Sequence, residues 1–142
     1  MDNEQIFSLA GLAAMAGWLV LIATPIRRGL MIALARWIGV GLGATYAALI
    51  AIHWGKGEGG FGSLAEVKQL FGRDGVLLAG WIHYLAFDLW VGAWEVEDAP
   101  RHGLSHWLVL PCLFLTFMFG PIGLLAYLIL RTGAQRLKAQ RA

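Results

Sequence analysis

The stretch "VLLAGWIHYLAFDLWVGAW", from Val76 to Trp94, is apolar enough to cross a membrane, yet it contains His83 and Asp88. A membrane-crossing helix needs about 20 predominantly apolar residues, and this stretch has that length and character. A charged side chain at the centre of a bilayer costs about 2.5 to 3.5 kcal/mol on insertion scales. The stretch therefore predicts a membrane helix whose polar side chains need either a compensating partner in another helix or a functional role.

Three further stretches have the same apolar character, and the composition of the whole chain agrees with them. Of the 142 residues, 58% are hydrophobic and 14% are charged, whereas soluble domains are about half apolar and a quarter charged. Strands are excluded because apolar and polar residues do not alternate and so few strands could not close a barrel. The sequence predicts an all-α, integral membrane four-helix bundle that forms a single domain. Its spans cover about residues 6–24, 30–54, 76–94 and 104–130, followed by a basic C-terminal tail over residues 131–142.

The segment "SLAEVKQLFG", between the second and third predicted spans, is typical of a short amphipathic helix. Ser63 and Glu66 have the spacing of a capping box, and Gly72 is placed to end the helix. Apolar side chains recur on one side of this segment. We therefore expect a short helix that lies at the membrane interface.

The distribution of lysine and arginine predicts the orientation of the chain. Four spans place both termini on the same side, and cytoplasmic loops carry the excess of basic residues. If both termini are cytoplasmic, the basic residues predicted to lie on the outer side are Arg27, Arg28, Arg36 and Arg101. The basic residues then predicted to be inside are Lys56, Lys68, Arg73, Arg131, Arg136, Lys138 and Arg141.

On a helical wheel, the polar residues of the third span belong to two different faces. One arc of about 60° holds Trp81, Tyr84, Asp88 and Glu95, and a second arc of about 40° holds His83, Phe87, Trp90 and Trp94. His83 and Asp88 are about 140° apart, so they are not expected to pair within this helix. Tyr84 is four residues before Asp88, which brings its phenol within reach of the carboxylate.

Partners for His83 and Asp88 must therefore come from other helices. In the second span, Arg36 could neutralise Asp88, and His53 is a second candidate support. Asp88 is then either half of a buried ion pair or an acid–base group in a cavity. Aromatic side chains could line a slot for a long, flat, apolar ligand, and those with suitable positions are Trp81, Phe87 and Trp90.

Metal and nucleic-acid sites have weaker support. His102 and His106 are four residues apart, so on a helix they could hold zinc or iron together with an acidic residue. Four histidines are too few for a membrane di-iron oxygenase, and the single cysteine, Cys112, excludes an internal disulfide. The net charge of +2 is not gathered into a patch that would suit nucleic acid.

The fourth predicted span contains "FGPIGLL", in which Pro121 stands between Gly120 and Gly123. A proline inside a helix removes a backbone donor, so we expect the helix to kink or break at this point.

The motifs around Gly80–Trp94, the "RHG" at residues 101–103 and "FLTFMFGPIGLLAYLILR" resemble a known family. It is the small membrane-protein family of the plant abscisic-acid-deficient protein required for neoxanthin synthesis, which also occurs in bacteria. The family pattern is Trp-x-His-x-x-Ala-x-Asp-Leu followed by Gly-Pro-x-Gly-Leu. The matching residues are Trp81, His83, Ala86, Asp88, Leu89, Gly120, Pro121, Gly123 and Leu124.

The resemblance implies a role in carotenoid or related isoprenoid metabolism. In plants the family is tied to the conversion of violaxanthin to neoxanthin, an epoxide opening that yields an allene without net redox change. That isomerisation needs an acid and a base but no cofactor. His83 and Asp88 have suitable residue types and are the candidate catalytic pair, with Tyr84, Arg36 and His53 as supports.

Three alternatives remain open for the function. The chain is an isomerase, a carotenoid-binding protein, or a non-catalytic membrane subunit or assembly factor whose buried charges only set helix register. Its expected partners are the lipid bilayer, an isoprenoid ligand and a homo-oligomer or larger membrane complex. The chain begins without a plastid-type extension, which favours the bacterial inner membrane as its location.

Overall fold

A computed structural model describes residues 1–140 and contains six α-helices and one 3₁₀ helix in that range. Arg141, one of the basic residues predicted to be cytoplasmic, lies outside the described residues. The α-helices are α1 (Asn3–Ile22), α2 (Arg28–His53), α3 (Leu64–Phe71), α4 (Asp74–Asp98), α5 (His106–Phe119) and α6 (Pro121–Ala139), and the 3₁₀ helix is Ala99–His102. The described residues contain no strand, so the all-α prediction is confirmed.

Helix α4 lies at the centre of the bundle, and small residues on its neighbours allow close packing. Gly17 of α1 lies directly against Leu89, and Gly39 of α2 lies against Ala86 and Trp90. Helices α1, α2 and the helical segment that begins with α4 are long and apolar enough to cross a membrane. The structure therefore contains three candidate spans.

The two ends of the bundle are defined by contacts between helix ends. At one end, here named the N-side, α1 begins, α2 ends and Gly75 at the start of α4 lies against the His53 ring. At the other end, the C-side, the His106 ring is 3.0 Å from the carbonyl oxygen of Ile22. Segment 54–73, which includes α3, belongs to the N-side, and the 3₁₀ helix belongs to the C-side.

The fourth predicted span is not a single helix, because the chain turns back at Gly120. Gly120 has φ 45° and ψ −95°, a backbone conformation that favours glycine, and Pro121 begins the next helix. A Cβ on Gly123 would collide with the backbone nitrogen and hydroxyl of Thr116. The helix therefore breaks at Gly120, one of the two expected outcomes, and the Gly120, Pro121 and Gly123 motif makes a tight turn between α5 and α6.

Helix α6 then returns to the C-side, alongside α4. The Tyr127 hydroxyl donates to Asp98, the Gln135 amide meets His102, and Lys138 contacts Gly103. Helix α5 has 14 residues, a length of about 21 Å, which is less than the roughly 30 Å of a bilayer's hydrocarbon core. Helices α5 and α6 thus form a hairpin that enters the bundle from the C-side and leaves on the same side, and the predicted four-span arrangement is corrected to three long helices plus this hairpin.

The hairpin also changes the placement of the termini. The prediction that both termini are cytoplasmic assumed four crossings. In the structure, Asn3 lies at the N-side and Ala139 at the C-side, so the two ends of the described chain are at opposite ends of the bundle. The prediction that both termini lie on the same side depended on four crossings, and the structure does not contain the fourth crossing.

The predicted short amphipathic helix is present as α3. The Ser63 hydroxyl accepts a hydrogen bond from the Glu66 amide at 3.2 Å, and Gly72 follows the last residue. The Glu66 carboxylate accepts from the Gly62 amide at 3.0 Å, so it caps the preceding turn rather than the Ser63 amide. Leu70 is the buried residue of this helix and anchors it to the bundle.

The opposite placement of the two ends predicts opposite labelling of two introduced cysteines. Glu58→Cys on the N-side and Gln140→Cys on the C-side are both at exposed positions, and the native Cys112 is buried. In sealed, oriented membranes, a membrane-impermeant maleimide should label one of the two positions from outside and the other only after permeabilisation. Labelling of both from the same side would restore the four-span arrangement.

The tight turn predicts that Gly123→Ala destabilises the protein. The new methyl group must displace the Thr116 backbone, and overpacking of this kind costs about 1 to 3 kcal/mol. Gly133 lies in the same helix with open space beside it, so Gly133→Ala should instead stabilise by roughly 0.5 to 1 kcal/mol. Thermal unfolding in mild detergent measures both, and equal melting temperatures for the two variants would contradict the tight turn.

Candidate functional site

The face of α4 that meets the hairpin carries three acidic residues, here named the acidic row: Asp88, Glu95 and Asp98. They are spaced by seven and three residues, which keeps them on one face of the helix. Glu95 is 0% exposed and Asp98 is 7% exposed, so these two carboxyl groups lie inside the protein. The row is the main concentration of buried polar groups in residues 1–140 and is the candidate site.

Asp88 lies against the tip of the hairpin. A Cβ on Gly120 would be 2.6 Å from the Asp88 Oδ1 atom, so only glycine leaves room for the carboxyl group there. The Tyr84 hydroxyl lies beside this carboxyl group and donates to the Met118 carbonyl oxygen at 3.4 Å. Among residues 1–140, no donor reaches the buried Oδ2 atom of Asp88. The Asp88 carboxyl group is therefore held in place by the turn while one of its oxygens remains unpaired.

Glu95 lies deeper, between α4 and α5. The Thr116 hydroxyl donates to its Oε1 atom at 2.9 Å, and its buried Oε2 atom has no hydrogen-bond partner in the described part of the chain. An unpaired charge in such a position is costly, and a carboxyl group avoids this cost by carrying a proton. The Glu95 side chain is thus suited to holding and releasing a proton.

Asp98 is the member of the row that has a cationic partner. Its Oδ2 atom accepts hydrogen bonds from the Tyr127 hydroxyl at 2.8 Å and from Arg131 at 3.2 Å. The Nε2 atom of His102 is 3.4 Å from the same oxygen. This network ties α6 to the C-side end of α4.

The structure does not join Arg36 to Asp88, so that predicted pair is wrong. Arg36 forms a 2.6 Å ion pair with Glu97, and its guanidinium lies 5.6 Å from the centre of the Trp90 ring. Both members of the pair remain about one-third exposed. Arg36 of α2 and Trp90 of α4 therefore meet at the interface between these two helices, away from the acidic row.

His83 also lies on the α2 face, as the helical wheel indicated. Its ring is 4.6 Å from the Phe87 ring and 5.3 Å from the Tyr46 ring, centre to centre. His53 packs on Gly75 at the N-side, about 20 Å along α4 from Asp88. The structure therefore brings neither His83 nor His53 to the Asp88 carboxyl group, although Tyr84 does lie beside it.

The aromatic residues predicted to line a ligand slot are spread over the outer surface of α4. Trp81 is 42% exposed and packs against Phe7 at 5.8 Å and Tyr84 at 5.6 Å. Phe87 is 61% exposed and Trp90 is 45% exposed. Trp81 contacts Tyr84 and so lies near the Asp88 side of the helix. Phe87 and Trp90 are on the His83 side.

The two candidate metal ligands are held by different partners. The Nδ1 atom of His102 accepts from the Gln135 amide at 3.0 Å, which directs its Nε2 atom to Asp98. His106 meets the carbonyl oxygen of Ile22 instead. Within residues 1–140, no group of three or more His, Cys, Asp or Glu side chains is arranged to hold a metal ion.

An apolar groove between α1 and α5 was not anticipated from the sequence. It encloses about 340 Å³ and is almost entirely apolar. Its lining residues include Trp18 and Met15 of α1 and Phe117 of α5, and Phe117 is three residues from Gly120. Phe117 is therefore the lining residue nearest to the hairpin turn along the chain, and Asp88 is not among the lining residues.

Sequence reasoning also missed most of the partners of the acidic row. Glu95 was not among the predicted site residues, although the helical wheel placed it on the Asp88 face and could have indicated it. Thr116, Tyr127 and Arg131 reach the row only because the chain turns back at Gly120. The proline motif predicted a kink or break at this point, but it did not indicate that the chain reverses direction.

Two neighbouring acidic residues should respond very differently to removal. Asp98→Ala leaves Arg131 and Tyr127 without their buried partner, and breaking a buried pair costs about 3 to 5 kcal/mol. Glu97→Ala breaks a part-exposed pair with Arg36, which is worth about 0 to 1 kcal/mol. Thermal unfolding in detergent should show a large loss for the first variant only. Similar losses for both would contradict the buried network.

Comparison with known proteins identifies a family. Neither curated proteins nor solved structures provide a match. The sequence model of the family described as "ABA DEFICIENT 4-like" matches residues 5–127, which include the acidic row, the hairpin turn and Tyr127. This agrees with the resemblance seen in the Trp81–Leu89 and Gly120–Leu124 motifs. The chain therefore belongs to the ABA DEFICIENT 4-like family.

Proposed function

We propose that this chain is an integral membrane isomerase that acts on a carotenoid or related long isoprenoid by proton transfer at Asp88. Family membership supports a carotenoid-related role, and three long apolar helices support a location in the membrane. The observation that carries the proposal is the Asp88 carboxyl group, which is held by the Gly120 turn with one buried oxygen unpaired.

Asp88 and Tyr84 are the two groups placed to exchange protons with a substrate. In an epoxide opening of the kind implied by the family, the Tyr84 phenol gives its proton to the epoxide oxygen as the C–O bond breaks. The Asp88 carboxylate takes a proton from carbon, and the C–H electron pair forms the new double bond. Asp88 then returns this proton to the Tyr84 phenolate, so protons and electrons balance without a cofactor.

The pairing with Tyr84 follows from the geometry of α4. Tyr84 lies beside the Asp88 carboxyl group, whereas the His83 ring packs on Tyr46 and Phe87 toward α2. A catalytic role for His83 stays a prediction from its residue type. Glu95 is completely buried behind Thr116, so it is placed to exchange protons with the site rather than to touch a substrate.

The apolar groove supplies a place for the hydrocarbon chain. Pockets for small molecules are mostly apolar and carry a few polar groups that orient the ligand. Several side chains that line the groove between α1 and α5 are exposed, among them Leu19 and Phe114, so the groove is open to the region that lipid would occupy. We propose that an isoprenoid enters this groove from the bilayer with its polar end directed toward the hairpin turn that holds Asp88.

The distribution of basic residues supports an orientation in a bacterial inner membrane. Among the residues that the structure describes, the C-side carries seven basic residues, which are Arg27, Arg28, Arg36, Arg101, Arg131, Arg136 and Lys138. The N-side carries three, which are Lys56, Lys68 and Arg73. Cytoplasmic surfaces carry the excess of basic residues. The proposed topology places the C-side and the hairpin entrance in the cytoplasm, and the N-terminus outside.

A non-catalytic membrane subunit is the second candidate. The Asp98 network and the Arg36–Glu97 pair show that some charges of this bundle serve to hold helices together. In that case Asp88 would be a further structural group that fixes the position of the hairpin. The two candidates make different predictions for Asp88 variants.

The isomerase proposal predicts a large loss of conversion in Asp88→Asn. The amide keeps the shape of the carboxyl group but cannot accept the proton, and such groups typically contribute 10² to 10⁴-fold, so a loss of about 100-fold or more is expected. Tyr84→Phe should also reduce conversion strongly. The measurement is the carotenoid profile of the native host, by liquid chromatography, after replacement of the chromosomal gene by each variant.

Glu97→Gln is the matched control for this experiment, because it changes an acidic residue of the same helix on the α2 face. It should retain conversion when its protein level equals the wild type. His83→Ala tests the separate prediction that His83 takes part in catalysis, and a loss of conversion in this variant would support that role. A wild-type profile for folded Asp88→Asn would refute the isomerase and favour the non-catalytic subunit.

A further inference from the structure

We propose that a groove between α2 and α4 at the C-side binds a phospholipid with an anionic headgroup. The groove, here named the basic groove, encloses about 370 Å³. It is lined on α2 by Ala33, Arg36, Trp37 and Val40, and on α4 by Trp90 and Glu97. Because it lies between α4 and α2, on the side of α4 away from the hairpin and Asp88, this inference does not depend on the proposed isomerase.

The C-side end of the basic groove holds an excess of positive charge. Arg36 forms two hydrogen bonds with the Glu97 carboxylate, at 2.6 and 3.3 Å. Arg28 donates to the carbonyl oxygen of Val96, the residue before Glu97. Arg28 and Arg101 both lie within electrostatic range of Glu97. Three guanidinium groups therefore surround one carboxylate, which leaves an excess of two positive charges around it.

These arginines also have donors to offer to an anion. A guanidinium carries five N–H donors and matches the oxygens of a phosphate group. Arg28 uses one donor on Val96, and the buried Nε atom of Arg36 has no partner among the described residues. The Arg101 side chain is exposed, and no side chain caps the first turn of α2 beside Arg28. A phosphate group at this position can therefore be shared between neighbouring arginines.

The remainder of the groove is apolar and lies deeper in the membrane. Arg36 is eight residues after Arg28, about 12 Å along α2, yet its guanidinium extends back toward the C-side to meet Glu97. The side chains left at the deeper level are apolar: Trp37 is 72% exposed and Val40 is 47% exposed. The groove is thus charged toward the surface and apolar toward the membrane interior, which is the order of headgroup and acyl chain in a phospholipid.

Charge complementarity favours a lipid over a second copy of the chain as the occupant. Copies inserted in the same orientation meet with their C-sides at the same level. Five of the acidic residues are exposed at the opposite end, the N-side, and they are Asp2, Glu4, Glu58, Glu66 and Asp74. At the C-side, Glu95 and Asp98 are buried and Glu97 already has Arg36. A neighbouring copy would therefore bring mainly further positive charge, whereas an anionic lipid brings the missing negative charge.

The proposed topology is consistent with such a ligand. It faces the C-side to the cytoplasm, and anionic lipids give the cytoplasmic leaflet of a membrane its negative surface potential. Basic pockets between membrane helices on that side are suited to anionic headgroups.

Lipid titration of the full chain in mild detergent tests the proposal. Phosphatidylglycerol and phosphatidylcholine with the same acyl chains are added separately, and native mass spectrometry measures the dissociation constant of each. The wild type should bind phosphatidylglycerol about tenfold or more tightly than phosphatidylcholine. Arg28→Gln and Arg101→Gln should each weaken phosphatidylglycerol binding by about fivefold and leave phosphatidylcholine binding unchanged. Because Arg101 is exposed, its variant decides the question if Arg28→Gln does not fold.

A variant of opposite sign and a matched control make the test specific. Glu97→Gln removes the carboxylate that competes for Arg36, so it should strengthen phosphatidylglycerol binding by about fivefold. Arg136→Gln removes an exposed arginine of α6 at the same side but outside the groove, and its affinity should equal that of the wild type.

Four results would overturn the proposal. Equal wild-type affinities for the two lipids would exclude headgroup recognition, and an equal loss in Arg136→Gln would reduce it to the general charge of the C-side. Displacement of phosphatidylglycerol by millimolar inorganic phosphate would assign the groove to a soluble phosphate compound. A dimer in the same spectra that dissociates in Arg28→Gln would assign it to a second copy of the chain.

Discussion

The contact on which the rest of the structure depends is that of Gly123 with Thr116 across the turn at Gly120. Two chain segments can approach this closely only where no side chain stands between them, and a Cβ on Gly123 would overlap the Thr116 backbone. Pro121 contributes by starting α6 without the need for a backbone donor. The turn converts one long apolar stretch into a hairpin and thereby determines which groups meet α4.

The site is a consequence of this hairpin. Because α6 returns alongside α4, Tyr127 and Arg131 reach Asp98, and Thr116 of α5 reaches Glu95. The hairpin tip itself covers Asp88 with a glycine, which leaves space for the carboxyl group. The same turn thus explains why the family motifs around Asp88 and around Gly120 occur together, since the two are distant along the chain but in contact in space.

The charged groups of α4 divide into two kinds according to their environment. Arg36 and Glu97 pair at the part-exposed α2 face, where such a pair contributes little to stability. The acidic row faces the hairpin and is compensated by a cation only at Asp98, among the residues that the structure describes. Toward the hairpin tip the carboxyl groups lose that compensation and keep free oxygens, which is the condition under which proton exchange becomes chemically useful.

The sequence by itself determined the helical class, the apolar stretches that form α1, α2 and α4, the short amphipathic helix α3 and the two faces of α4, because each of these depends on local periodicity and composition. It also indicated the family through short motifs. Only the tertiary structure decided that residues 104–130 form a hairpin, that Arg36 pairs with Glu97, and that Tyr127 reaches Asp98. The physical reason is that a glycine–proline pair permits either a kink or a full turn, and the packing of Gly123 on Thr116 selects between them.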